Sequence, residues 1–158
     1  MYLQTGNLVE ELKYGIILQQ VNAQGVMASG IAKEIRAKWP AVWVAYSTLV
    51  TPSPEFGLNG QQHLGKISPV EVESNLWVVS IIGQQFYGRD GKRYTSYDAL
   101  DVGLQQVARW VAETEFTHAD IHHPLLGSGL GGGSWPVVKA IIEHRLGSDT
   151  TLWTLPGV

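Results

Sequence analysis

G-I-I-L-Q-Q-V-N-A-Q-G-V-M-A-S-G-I-A-K, residues 15–33, is the stretch on which the architecture turns. Its opening, Ile16-Ile17-Leu18, is a continuous apolar run of the kind carried by a strand covered on both faces. The run ends at Asn22, turns through Gly25 and enters an amphipathic helix near Ser29, with Ile31, Ile35 and Trp39 stacked four apart. A strand that empties through a glycine turn into a helix N-terminus leaves backbone N–H groups unpaired and pointing outward. Such a turn suits a phosphate or another anion. P-L-L-G-S-G-L-G-G-G-S-W, residues 124–135, repeats the arrangement. The two loops are expected to face one ligand.

Working outward, residues 1–5 read as a short strand ending at Gly6-Asn7, and residues 8–13 as one or two helical turns. Pro40 stops the helix over 29–39 and opens another, since proline is welcome in a first turn. Val42, Trp43, Tyr46, Leu49 and Val50 form the apolar side of that second helix. Residues 51–62, rich in Pro, Ser, Gly and Asn, read as a loop. Strands are expected at 65–72 and 76–82, joined by a turn at Glu73-Ser74-Asn75 and followed by a loop over 83–93. Thr95 is expected to cap the next helix, with Asp98 in the capping-box position and Leu100, Leu104, Val107, Ala108 and Val111 inward. A short strand over 119–122 leads into the second glycine loop. Ser134 then starts a helix with Val137, Val138, Ile141 and Ile142 inward, stopped near Gly147, and residues 150–155 form a last strand. This alternation predicts an α/β protein: a three-layer α/β/α sandwich around a mixed sheet of about six strands, as one domain over 1–158.

Composition bounds the function. A chain of 158 residues suits a domain with a sizeable core, and 44% apolar with 16% charged residues is ordinary globular composition. The formal net charge of −3 argues against a nucleic-acid partner. A phosphate-bearing small molecule stays open, because helix ends and amides supply positive potential without Lys or Arg. The absence of cysteine excludes disulfides, a thiol nucleophile and Cys-based metal sites. No apolar run nears the ~20 residues of a membrane span, and no signal-peptide pattern opens the chain. A cytoplasmic protein with no membrane partner is expected. No H-x-x-x-H spacing or carboxylate partner suggests a metal, and no cofactor is expected.

Gly127, Gly129 and Gly132 satisfy G-x-G-x-x-G, and Asp149 falls about 20 residues downstream, where a dinucleotide fold wants a ribose-binding acid. With Val158 as the last residue, no room is expected for the remaining strands of a doubly wound fold. A P-loop is excluded, since no Gly-Lys-Ser/Thr follows either loop.

Taken together the two loops are more specific. V-N-A-Q-G-V-M-A-S-G-I-A, residues 21–32, resembles the first ligand loop of macrodomains, and L-L-G-S-G-L-G-G-G-S-W, residues 125–135, resembles their second, diphosphate-cradling loop. Gly6-Asn7-Leu8, R-Y-T-S-Y-D-A-L (93–100) and Leu152-Trp153-Thr154-Leu155 extend the resemblance over nearly the whole chain. It looks closest to the short macrodomains of phage and bacteria, which group with the yeast ADP-ribose-1″-phosphate phosphatase and the human terminal ADP-ribose glycohydrolase. The resemblance implies a cleft at one end of the sheet for ADP-ribose or ADP-ribosylated molecules. It puts Asn7 on the adenine amino group, the Leu8 N–H on the neighbouring ring nitrogen and Trp153 against the base, where stacking is worth ~1–3 kcal/mol; the alternative for Trp153 is ordinary core. Leu126, Gly127, Ser128, Gly129, Leu130, Gly131 and Gly132 would wrap the diphosphate with N–H groups, glycine permitting close approach. Asn22, Gln24, Gly25, Val26, Met27, Ser29, Gly30, Ile31 and Gln84 would hold the distal ribose. Asn22 has a second reading, as a residue that only orders its loop.

The catalytic pattern departs from the family's. The glycohydrolase lysine and aspartate match Gln84 (or Gln85) and Gly131. The first-loop asparagine and aspartate of other hydrolases match Gly25 and Ala32, and a histidine before V-N-x-Q-G matches Gln19. Glutamine holds a water but is no base at neutral pH. The expected activity is slow hydrolysis at the distal ribose, of a 1″-phosphate or 1″-linked adduct, with Asn22 and Gln19 positioning a water. The competing expectation is a reader or sponge for ADP-ribose without turnover. His123 reads either as a proton-transfer group near the diphosphate or, with His122, as a core and backbone-bonded pair. His63 and His144 are expected on the surface, and Asp90 and Arg93 as solvated loop charges near the distal ribose.

Overall fold

In the computed structural model, residues 1–51 and 59–157 are described, so most of the loop expected over 51–62 lies outside the described residues. The sheet grows around β2 (Gly15–Asn22), whose Ile16, Ile17 and Leu18 are fully buried. Each such side chain contributes roughly 1.5–3 kcal/mol relative to leaving it exposed. Side chains alternate across a strand. Ile17 and Val21 enter the core under α2 (Gly30–Lys38) and α3 (Pro40–Leu49), while Ile16 and Leu18 enter the core under α4 (Tyr97–Ala112) and α5 (Trp135–Leu146). The result is three layers.

β1 (Tyr2–Thr5), β3 (Ile67–Glu73), β4 (Leu76–Gln84), β5 (Ile121–His123) and β6 (Thr151–Thr154) complete a six-stranded sheet in the order β1-β6-β5-β2-β4-β3. Neighbours run parallel except the β3–β4 hairpin, which is antiparallel. The chain leaves β2 toward α2 and α3 on one face, whereas it leaves β5 toward α5 on the other. Two adjacent parallel strands whose exits diverge open a crevice beyond their carboxyl ends, the usual place for a ligand in an open α/β sheet. Among the described residues, no helix is long and apolar enough to cross a membrane.

Two local expectations are corrected. Ser96, not Thr95, caps α4: its Oγ accepts the Ala99 N–H at 3.1 Å. Thr95 is turned away from the helix, toward the second glycine loop, where its Oγ1 donates to Gly127 O. On α5, Val138, Ile142 and Leu146 are the buried positions, while Val137 is exposed. The run V-V-K-A-I-I offers two adjacent apolar registers one residue apart; the helix buries one fully, while in the other Val137 is exposed and Ile141 only partly covered. Val137 instead borders a shallow apolar depression with Pro136, Ala140, Ile141, His144 and Asp101.

Candidate functional site

The loops in question all leave the carboxyl edge of the parallel strands. The β1–β6 register pairs Thr5 with Thr154 and Gln4 with Trp153, which brings the Asn7–Leu8 corner beside Trp153. Asn7 caps α1 (Leu8–Glu11), its Oδ1 accepting the Glu10 N–H at 3.2 Å, while the Leu8 N–H has no acceptor among the described residues. Trp153 is partly buried against the α2–α3 core, and its indole N–H donates to His122 Nδ1 at 2.9 Å. Next in the row comes the loop after β5, then the loop after β2, then Gln84 at the end of β4. From β1 to β4 the row covers four strand spacings, about 19 Å.

The second glycine loop is folded partly on itself. Ser128 N–H donates to Leu125 O at 3.2 Å, Gly132 N–H to Gly129 O at 3.0 Å and Gly133 N–H to Gly127 O at 2.8 Å. Of the amides expected to wrap a diphosphate, those of Ser128 and Gly132 are thus occupied. Leu126 is sunk in the α4–α5 core, with its N–H on Pro124 O. The N–H groups of Gly127, Gly129, Leu130 and Gly131 have no acceptor among the described residues. Gly131 O accepts both Tyr94 N–H, at 2.8 Å, and Thr95 N–H, at 2.9 Å, so the loop is stitched to the segment before α4.

A residue missed by the sequence reading ties these pieces together. Gln20, on the α4–α5 side of β2, donates through Nε2 to Gln84 Oε1 and to Thr95 Oγ1, both at 2.9 Å. Thr95 Oγ1 in turn donates to Gly127 O at 2.7 Å. Gln84 completes the set by donating to Phe86 O at 2.8 Å, so its carboxamide fixes loops rather than facing the crevice freely. Gln19, the expected water-holding residue, points to the opposite face. It is fully buried, with Nε2 on Ser80 Oγ at 2.9 Å and Oε1 without a donor. A side chain sealed beneath the sheet face holds no water for a ligand, so Gln19 does not take the expected water-positioning role.

Asn22 is likewise a loop-ordering residue. Its Oδ1 accepts Gln24 N–H at 3.0 Å, Val26 N–H at 3.3 Å and Tyr46 O–H at 2.8 Å, while its Nδ2 donates to Val26 O at 2.9 Å. A carbonyl oxygen has two lone pairs, and the Gln24 and Val26 N–H groups already occupy both, so it cannot also accept from a catalytic water. Gln24 bridges to Asn59 O and Gln85 O, and Met27 is buried in the α2–α3 core beside the partly buried Ile31. Ser29 Oγ accepts from Arg89 at 2.7 Å. The N–H groups of Gly30 and Ile31 open α2 and have no acceptor among the described residues.

Histidine placement differs from expectation at His63, which is buried, with Nδ1 against Lys66 Nζ at 3.1 Å. Its burial and the neighbouring ammonium hold its pKa below the usual value. His123 is fully buried between Pro124 O (2.9 Å) and Thr150 Oγ1 (3.2 Å) at the root of the second loop. Burial pushes it down to about 4, which makes it a neutral structural group and not a proton-transfer residue at neutral pH. Because the folded value lies below the unfolded 6.5, the unfolded state binds the proton first. Its contribution is therefore complete above pH 6.5 and declines as pH falls toward 4, by on the order of 3 kcal/mol. NMR titration of the ring is expected to show a neutral imidazole at pH 5; a midpoint near 6.5 would contradict the burial.

Among the described residues no group of three or more His, Asp or Glu converges as a metal site. One depression lies on α5, and a second lies at the start of α4, between Leu64, Gln85 and Tyr97. What distinguishes the crevice is unoccupied amides presented from successive loops.

No family model matches the chain, and no curated protein matches it by sequence. Solved structures do. A Bacteroides thetaiotaomicron protein of unknown function superposes with a TM-score of 0.80 at 26% identity, over 96% of both chains. A macrodomain protein from Streptomyces coelicolor follows at 0.73 and 26% identity, over 97% of both. Thermosipho africanus DarTG in complex with ADP-ribose matches at 0.71 and 19% identity, over 99% of this chain and 42% of the longer one. With its six-stranded mixed sheet and a superposition over 97% of both chains on a macrodomain protein, this chain has the macrodomain fold.

Proposed function

We propose that the chain binds ADP-ribose, or the ADP-ribose moiety of a modified molecule, in the crevice beyond the carboxyl ends of β6, β5 and β2. The observation that carries this is the order of the loops along that edge. An adenine corner (Asn7, Leu8, Trp153), then free amides at Gly127, Gly129, Leu130 and Gly131, then the first loop with the α2 N-terminus follow one another as base, diphosphate and distal ribose do in the ligand. The free amides suit an anion without any lysine or arginine. The ADP-ribose complex of the Thermosipho protein, which shares the fold, supports the same reading.

Binding without turnover is the favoured form. Hydrolysis at the distal ribose needs a positioned water, but Asn22 Oδ1 has no lone pair left to accept from one and Gln19 is sealed within the core. Calorimetry is expected to show ADP-ribose binding more tightly than AMP or NAD, since only ADP-ribose fits all three subsites without a nicotinamide. Incubation with ADP-ribose-1″-phosphate is expected to release no more phosphate than a Gly129→Glu control. Release well above that control would restore the phosphatase reading and require a catalytic group other than these two.

A further inference from the structure

The first loop is gripped by side chains of α3. Trp43 and Tyr46 stand three apart on α3, on one face of the helix, and together they hold both polar groups of a single peptide residue. Gly25 N–H donates to Tyr46 Oη at 3.1 Å, and Trp43 Nε1–H donates to Gly25 O at 3.0 Å. The buried Tyr46 hydroxyl has one proton of its own, and it is directed at Asn22, whose backbone carbonyl and Oδ1 both lie within hydrogen-bond distance. Trp43 is in turn fixed from outside by Arg36, whose guanidinium carbon sits 4.0 Å from the ring centroid.

We propose that Trp43 and Tyr46 are positioning residues for the distal-ribose end of the site. They touch no ligand; they set the peptide plane at Gly25 and thereby the path of residues 26–30, which leads to the free α2 amides. The inference rests on the binding reading above and adds to it the element that shapes one subsite. No residue of α3 figures among the expected site residues, and the sequence shows Trp43 and Tyr46 only as apolar positions.

The placement makes the test selective. The adenine corner lies at β1 and β6, on the far side of β5 from this clasp, so a ligand that ends at the first phosphate senses the clasp little. Tyr46→Phe keeps the ring and removes the hydroxyl; Trp43→Phe keeps an aromatic ring and removes the N–H. Calorimetry with ADP-ribose and with AMP is expected to show Tyr46→Phe weakening ADP-ribose about tenfold, the worth of one buried hydrogen bond. Trp43→Phe is expected to weaken it severalfold, and AMP affinity to stay within about twofold of wild type in both. If Tyr46→Phe does not fold, Trp43→Phe alone carries the test. Unchanged ADP-ribose affinity in the folded variants, or equal losses for both nucleotides, overturns the positioning role. Failure of the wild-type chain to bind ADP-ribose is a separate result, which overturns the binding reading and this inference with it.

Discussion

Gly129→Glu is expected to weaken ADP-ribose binding by at least a hundredfold while leaving the melting temperature nearly unchanged. A Cβ at this position meets nothing within 4 Å, so the fold accepts a side chain there. The N–H of Gly129 and those of its neighbours Leu130 and Gly131 are without acceptors among the described residues. A carboxylate added in their midst both competes for these donors and repels a diphosphate. At a separation of about 4 Å and an effective dielectric near 20, one such repulsion is about 4 kcal/mol, or roughly a thousandfold; exposure of the loop to water reduces this. Gly129→Ala is the steric control and is expected to bind within severalfold of wild type. Calorimetry on both variants checks the pair, with thermal melts to show that each is folded. Wild-type affinity in Gly129→Glu would mean that the diphosphate is held somewhere other than the second loop.

Some parts of the site were legible in the residues and others were not. Ile16-Ile17-Leu18 announced a strand buried on both faces, and the alternation of periodicities announced the layers, because both signals are local and repeat over several residues. Strand order was not local information: β5 is three residues long and is placed between β2 and β6 by pairing partners far away in sequence. The misassignments at the site have a common cause, which is one-residue parity. Gln19 and Gln20 are chemically identical neighbours on opposite faces of β2, so nothing in their identity says which one meets the second loop. Thr95 and Ser96 are adjacent hydroxyl residues, either able to cap a helix; Ser96 caps α4 and Thr95 pins Gly127 O. Val137 and Val138 repeat the ambiguity on α5. The G-x-G-x-x-G spacing marked a tight turn correctly. It could not say which amides stay free, nor that Gly131 O is taken by the backbone before α4.

That last contact makes Gly132→Ala the most destabilising single change we expect in the second loop. Gly132 has φ +70°, a left-handed conformation that costs an L-residue about 1–2 kcal/mol. Its added Cβ would lie 2.5 Å from Lys92 O and 3.0 Å from Arg93 Cα. Those are backbone atoms, held in place by the two bonds from Tyr94 and Thr95 to Gly131 O, so they cannot swing aside as a side-chain tip would. Relief requires the loop to part from the 92–95 segment and forfeit bonds worth about 1 kcal/mol each. The sum is about 3 kcal/mol, and for a chain of this size the melting temperature should fall by roughly 6–12 °C. Gly129→Ala, a few residues away with an open Cβ position, should stay within about 0.5 kcal/mol of wild type. The loss should also reach function along a different route from Gly129→Glu. Moving the whole loop weakens AMP and ADP-ribose together, since both carry the phosphate nearest the adenosine, whereas the clasp variants on α3 separate them. Differential scanning calorimetry of the two alanine variants decides the structural part. Equal melting temperatures would mean that the glycine loop does not lie against residues 92–95, and the network of Gln20, Thr95 and Gly127 would then have to be redrawn.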